Sequence, residues 1–494
     1  VILFTLGVYL FVGGEGFYST DGETMLRTTW AIVDKGRLSV PCDPGQPSAI
    51  QGRDGRCYSR YGLGQPLAAV PLYLVGKGVY TVFPSLDYGE ALRFTMARLN
   101  QIIMALVCGM MCALGGLIYR SGRMGVGLAL LFGLGTLALP YSRFYFNEPL
   151  TTLGFLIALY GVIAFRRASG HPVPRRTSGH PVPRRASGHL APRRASGHLA
   201  PRCVSGHLAH WLVTGGVGFG LAVLTRTTCA LLLPLFLVYV WFADAPHTGR
   251  EEAKLFYTTR ASRALLFVLP VIVLGLIQAG YQFWAFGDPL SGGYQGEGWQ
   301  TPLLAGLYGL LFSPGKSLLL FVPVVILAPW GWVRWFIEGR RREALLFVTA
   351  FVVWLLFHAG WWTWHGGWSW GPRFMVPMLP FLILPLGSLW RLGTGARIAI
   401  VALALIGFLI QLGGVLVNFN DYMLWINDED KILFNPAYLP ILGHWRMLWN
   451  GETPNLAILD MPRWGAIAWS TVCGALMIAG GCLMRSQPRV EKAT

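Results

Sequence analysis

Apolar runs close to twenty residues long recur from one end of this sequence to the other, and no other feature constrains its fold so tightly. A helix rises about 1.5 Å per residue, so a run of that length can cross a hydrocarbon core of about 30 Å. The clear runs fall at 1–14, 93–119, 124–140, 149–165, 211–225, 229–243, 264–285, 317–333, 344–361, 374–390, 398–418 and 466–484, twelve in all. Charged residues are only 13% of the 494, about half the share in ordinary soluble domains, and the mean hydropathy is +0.49. The expectation is an all-α polytopic membrane protein of about twelve transmembrane helices. It forms one domain over 1–494, with loops and juxtamembrane helices on its outer face.

Two stretches stand apart. The run 1–14 is short for a full crossing and no small-residue cleavage site follows it, which leads us to expect a true start further upstream. Gly64 to Phe83 is apolar but interrupted by Pro66, Pro71, Gly76, Lys77 and Gly78, as befits an interfacial hairpin or helix or a re-entrant element.

Lys and Arg accumulate on the cytoplasmic side of membranes, and their distribution chooses between the two threadings. If 64–83 does not cross, the inside holds 120–123, 166–210, 244–263, 334–343, 391–397 and the tail from 485. These segments carry 24 of the 40 Lys and Arg but only 6 of the 23 Asp and Glu, so the inside is +18 and the other side −1. The opposite threading would turn the most basic loop outward. The formal net charge of +17 is thus a matter of orientation. It does not call for nucleic acid, because the basic residues are interleaved with Pro and Gly and lack stacking aromatics. A first loop at 15–92 with its juxtamembrane segment, and loops at 286–316, 362–373 and 419–465, then lie outside. Loops on a rigid helical scaffold are where chemistry is expected.

The basic loop 166–210 contains a nine-residue repeat with His171, His180, His189, His198 and His207 evenly spaced. Such spacing invites a metal reading, but Pro, Gly, Ser and Arg cannot bury a core. We read a disordered cytoplasmic linker whose deletion leaves catalysis intact. Cys42 and Cys57 share the first outer loop, where an oxidising compartment would allow a disulfide that spacing alone does not decide.

The outer loops concentrate charge. The first opens with Glu15, Asp21 and Glu23. A carboxylate at a low-dielectric boundary can serve as general base toward a hydroxyl or help to bind a divalent cation. On the same face are Arg60, Arg143, Glu148, Arg226, Lys316 and Arg373, each at or near a helix end. Snorkelling to headgroups accounts for any one cation, but not for five together with two acidic clusters. A cationic groove at the lipid boundary suits a phosphate, with Arg offering bidentate contacts and Lys a point charge. Trp361, Trp362, Trp364, Trp368 and Trp370 can stack on sugar faces or anchor at the interface, and His365 is a candidate polar contact.

Five motifs together resemble the GT-C superfamily of membrane glycosyltransferases, in particular the bacterial branch related to protein O-mannosyltransferases and the aminoarabinose transferase of lipid A. They are Tyr-Ser-Thr-Asp-Gly-Glu at 18–23, Tyr-Gly-Leu-Gly-Gln-Pro-Leu at 61–67, Asn-Glu-Pro-Leu at 147–150, Leu-Phe-Ser-Pro-Gly-Lys at 311–316 and Trp-Gly-Pro-Arg-Phe at 370–374. The resemblance implies a polyprenyl-phosphate monosaccharide donor, an inverting transfer to an acceptor hydroxyl on a lipid, glycan or protein, and a membrane-lipid setting with an extracytoplasmic active site in the cell membrane. Asp21 matches the family's catalytic carboxylate; Gly22 interrupts the usual acidic pair, so Glu23 stays open. Arg60 corresponds to the phosphate-contacting base and Glu148 to the second acidic motif, while Arg143, Arg226, Lys316 and Arg373 extend the phosphate site. Sugar or acceptor contacts fall to His365, Trp368 and Trp370. No metal ligand set is assigned, and a divalent cation is left open. No large soluble domain follows the last run, unlike oligosaccharyltransferases. The rival class is a lipid-linked sugar flippase, which inverted internal repeats would favour; none is visible.

Overall fold

A computed structural model of the chain describes every residue except 15, 16, 46, 169–207, 244–258, 291, 295 and 486–494. Glu15, the five evenly spaced histidines and the repeat therefore lie outside the described residues. Each of the twelve apolar runs is helical. Five of them are segmented: 317–333 and 374–390, for example, break into short α and 3₁₀ pieces at Pro323, Pro329, Pro377, Pro380 and Pro385, where proline removes an amide donor. Among the described residues, seven helices are long and apolar enough by length and composition to cross a membrane, including Glu148–Ala168, Leu208–Thr225 and Arg260–Phe286. Large apolar side chains stand exposed on their outer faces, Leu276 at 65% and Ile398 at 63%, which only a lipid solvent makes favourable over so many positions. The chain is an integral membrane protein.

Glu148–Ala168 is the central helix, buried over most of its length. It packs against Leu208–Thr225 through glycines. A side chain at Gly161 would meet the Gly215 backbone at 2.7 Å, and one at Gly154 would meet the Gly218 carbonyl at 2.7 Å. Small residues let membrane helices approach closely. The packing fixes the antiparallel register that places Glu148, at the start of one helix, beside Arg226, just past the end of the other. Ala168, at the other end of that 21-residue helix, lies 20 positions from Glu148, about 30 Å away.

Gly64 to Phe83 resolves as a single helix, Gly64–Val82, that accommodates Pro71. Lys77 and Tyr73 both reach Asp34, tying it to the helix Thr20–Lys35. Within the first loop the all-α expectation meets an exception, a three-stranded antiparallel sheet of β1 (Ser39–Val40), β2 (Ala49–Gln51) and β3 (Cys57–Ser59) in the order β1-β3-β2. Strands this short do not hold alone. Cys42 and Cys57, left undecided by their spacing, form a disulfide that closes the loop between them.

Candidate active site

At the end of the bundle where Glu148 and Arg226 meet, the loops enclose a cavity of about 1070 Å³. Asp21, Arg60, Glu148, Arg226, Arg373 and Trp368 all line it. They come from five separate segments of sequence, Trp368 and Arg373 sharing one. Tertiary packing alone brings them together.

Asp21 lies in the first turn of Thr20–Lys35, which Ser19 caps by accepting a hydrogen bond from Gly22 N. A carboxylate there is favoured by the helix dipole. Two positions along a helix turn through about 200°, so Asp21 and Glu23 point to opposite sides. Asp21 faces the cavity, where its Oδ2 accepts from Arg373 Nη1 at 3.0 Å and its Oδ1 from Ser48 Oγ at 3.1 Å. Glu23 faces away and accepts from Arg27 at 3.0 Å and from both terminal nitrogens of Arg93 at 2.7 Å. Burial resists ionisation of Asp21, but the Arg373 charge, with hydrogen bonds from Tyr61, Arg373 and Ser48, outweighs it and holds the carboxyl below its ordinary pKa.

Arg373 begins a 3₁₀ turn, Arg373–Met378, after Gly371 at φ +62° and Pro372. Its Nε is 3.9 Å from Glu148 Oε1, so one guanidinium bridges both carboxylates of the site. Gly366, at φ +74°, makes room for it: a Cβ there would come within 2.8 Å of Arg373 Cγ. Arg226 is 3.3 Å from Glu148 Oε1 and lies over the Phe374 ring at 4.6 Å. Arg60, directly after β3, is ion-paired to Glu297 and sits 4.0 Å over the ring of Tyr294. Trp362 Nε1 donates to the other Glu297 oxygen at 2.8 Å.

Trp361 and Trp362 also line the cavity, whereas Arg143, Lys316, His365 and Trp370 do not. Arg143 is buried and donates to the Val415 carbonyl, to Tyr18 OH at 3.1 Å and to the Asn455 carbonyl at 2.6 Å, joining the loop 419–465 to the first loop. Lys316 donates to the carbonyls of Gly367 at 2.9 Å and Ser369 at 2.5 Å, bracing the turn that carries Trp368. His365 pairs with Glu429 at 3.0 Å, and Trp370 is buried, donating to Gln411 at 3.1 Å. Residues that sequence reasoning passed over also line the cavity, among them Ser48, Tyr61, Tyr294, Glu297 and His358. Two of these carried a sequence signal: Tyr61 opens the motif at 61–67, and Glu297 is an acid in the glycine-rich stretch 292–298, among residues that cannot pack a core.

Among the described residues, no three of His, Cys, Asp and Glu come together as a metal site. The acids present do not fit a divalent cation, since the Arg373 guanidinium occupies the position between Asp21 and Glu148 that such an ion would take.

No family model matches the chain, and no curated protein matches it. Solved structures do. The crystal structure of ArnT from Cupriavidus metallidurans bound to undecaprenyl phosphate is similar over 98% of this chain and 77% of its own, at 14% identity and a TM-score of 0.43. The archaeal oligosaccharyltransferase AglB from Archaeoglobus fulgidus, in complex with an inhibitory peptide and a dolichol-phosphate, is similar over 98% of this chain, at 11% identity and a TM-score of 0.42. This chain spans 55% of the length of AglB. At this level of likeness, function has to be argued from the residues in the cavity.

Proposed function

We propose that the protein is an inverting glycosyltransferase that moves a monosaccharide from a polyprenyl-phosphate donor to an acceptor hydroxyl on the extracytoplasmic face. One observation carries this reading: a partly buried carboxylate, Asp21, shares a cavity at the bundle end with three guanidiniums, those of Arg60, Arg226 and Arg373. A general base beside a cationic cradle is the arrangement a glycosyl phosphate requires.

In the proposed step the acceptor oxygen attacks the anomeric carbon as the bond from that carbon to the phosphate oxygen breaks. The proton passes to Asp21, and the phosphate departs against Arg60 and Arg373. A single in-line displacement inverts the anomeric centre. While Arg373 grips Asp21, the carboxylate is a weak base. A donor phosphate drawing on the same guanidinium weakens that grip and raises the basicity of Asp21 when the acceptor needs it. Glu148 has a separate task, holding Arg226 and Arg373 in place.

The test is transfer from labelled polyprenyl-phosphate sugars by purified, reconstituted protein, with Asp21→Asn and Arg60→Ala alongside. Donor-dependent product that disappears in Asp21→Asn supports the reading. Labelled lipid crossing the bilayer with no donor consumed would replace it with a flippase.

A further inference from the structure

The cavity has two chemically different walls. On one side, guanidiniums present donors. Around Arg226 the balance reverses: Glu148 Oε2, His358 Nε2, Gln282 Oε1 and Thr228 Oγ1 are buried in the cavity wall without a hydrogen-bond partner. Buried polar atoms are nearly always satisfied, so a cluster of unsatisfied ones at a cavity marks where a ligand or water belongs.

The chemistry of two of these atoms is fixed. His358 Nδ1 lies 2.9 Å from the Trp354 carbonyl, which can only accept, so the ring proton sits on Nδ1 and Nε2 keeps a lone pair. Glu148 Oε2 belongs to a carboxylate whose other oxygen is held by Arg226. The two residues are neighbours through Phe374: its ring is 5.0 Å from that of His358 and 4.6 Å from the Arg226 guanidinium that Glu148 grips. The charge of Glu148 is already answered by Arg226 and Arg373, at 3.3 and 3.9 Å, so this wall does not ask for a cation. It asks for neutral hydrogen-bond donors.

We infer that this wall reads the donor sugar, with His358 Nε2 and Glu148 Oε2 accepting from two free hydroxyls on the ring, and that the substrate class is therefore a sugar unsubstituted at those positions. The inference rests on the glycosyltransferase reading and adds His358 to it as a specificity-determining residue. Gln282 and Thr228, able to adapt their polarity, complete the wall beside them.

The experiment begins with undecaprenyl-phosphate mannose, glucose, galactose and arabinose. It continues with the monodeoxy analogues of whichever sugar the wild-type protein transfers. Wild type is expected to lose about tenfold in kcat/KM, the worth of one hydrogen bond, for at least one deoxy analogue. His358→Phe, which keeps an aromatic ring against Trp354 and Phe374, should abolish that preference, and His358→Asn should restore part of it. A purely structural role would lower both rates and leave their ratio alone. Equal use of parent and deoxy donors by wild type overturns the inference, as does an undiminished preference in His358→Phe. If His358→Phe does not fold, the same ratio is read in Glu148→Gln. Transfer of no sugar from the panel overturns the reading of the reaction itself.

Discussion

Arg373 Nη1 lies 3.0 Å from Asp21 Oδ2 across 352 positions of sequence. The contact joins the first loop to the start of the tenth apolar run and sets both the charge state and the direction of Asp21. General-base catalysis is worth about 10² to 10⁴ in rate, so Asp21→Asn is expected to lose that much in kcat. Glu23→Gln, which alters an ion pair on the opposite side of the same helix, should stay within about threefold of wild type. Single-turnover rates on the reconstituted protein distinguish the two carboxylates; equal losses would return Glu23 to the mechanism.

The pH dependence follows from the same contact. Asp21 has a folded-state pKa below its ordinary value of about 3.9. Its stabilising contribution is therefore complete above that ordinary value and is lost only as pH falls through the lower, folded one. In the free enzyme the acid limb of kcat/KM should lie below about pH 4. Arg373→Gln should shift it upward, because burial then acts unopposed by that charge. An unmoved limb would mean that another group controls it.

Glu297 occupies the guanidinium of Arg60, which the proposed donor phosphate needs. Arg60→Ala should raise the donor KM about tenfold, the cost of one charge-assisted contact. Glu297→Gln should lower it, since the phosphate no longer has to displace a carboxylate. The check is initial-rate kinetics with donor varied at saturating acceptor; a raised KM in Glu297→Gln would show that the pair positions Arg60.

The Cys42–Cys57 disulfide spans a sequence separation of 15, a loop length whose closure is worth about 3 kcal/mol. Ser48, which donates to Asp21, lies inside that loop, and Arg60 lies three residues beyond Cys57. Cys42→Ser with Cys57→Ser should lower the thermal midpoint and the turnover together, and reductant should do the same to wild type. A thermal shift with no loss of turnover would separate the disulfide from the site.

Arg373 fills the space between the two acids, so turnover should be insensitive to a chelator. Arg373→Ala should be inactive with or without added Mn²⁺ or Mg²⁺. Rescue of the variant by either ion would show that the guanidinium stands in for a metal.

Much of the fold was legible in the sequence because lipid imposes a simple rule, that each crossing must satisfy its own backbone within an apolar run. The twelve runs are helices for that reason. The glycines at 154, 161, 215 and 218 carry no such signal, because a small residue reveals its role only when a second helix lies against it. The sheet in the first loop was illegible because strands of two or three residues have no periodicity to read.

For the site, the sequence by itself determined the inventory: acids and cations at helix ends, where an unpaired charge is expensive and must have a purpose. It could not separate Asp21 from Glu23, since a helix's rotation about its axis is set by what it packs against. Nor could it divide the cations. Arg60, Arg226 and Arg373 line the cavity, while Arg143 and Lys316 are held by backbone carbonyls behind it. The tertiary structure made those decisions, because the partners of these charges come from about fifty to more than three hundred residues away and only packing brings them within hydrogen-bonding reach.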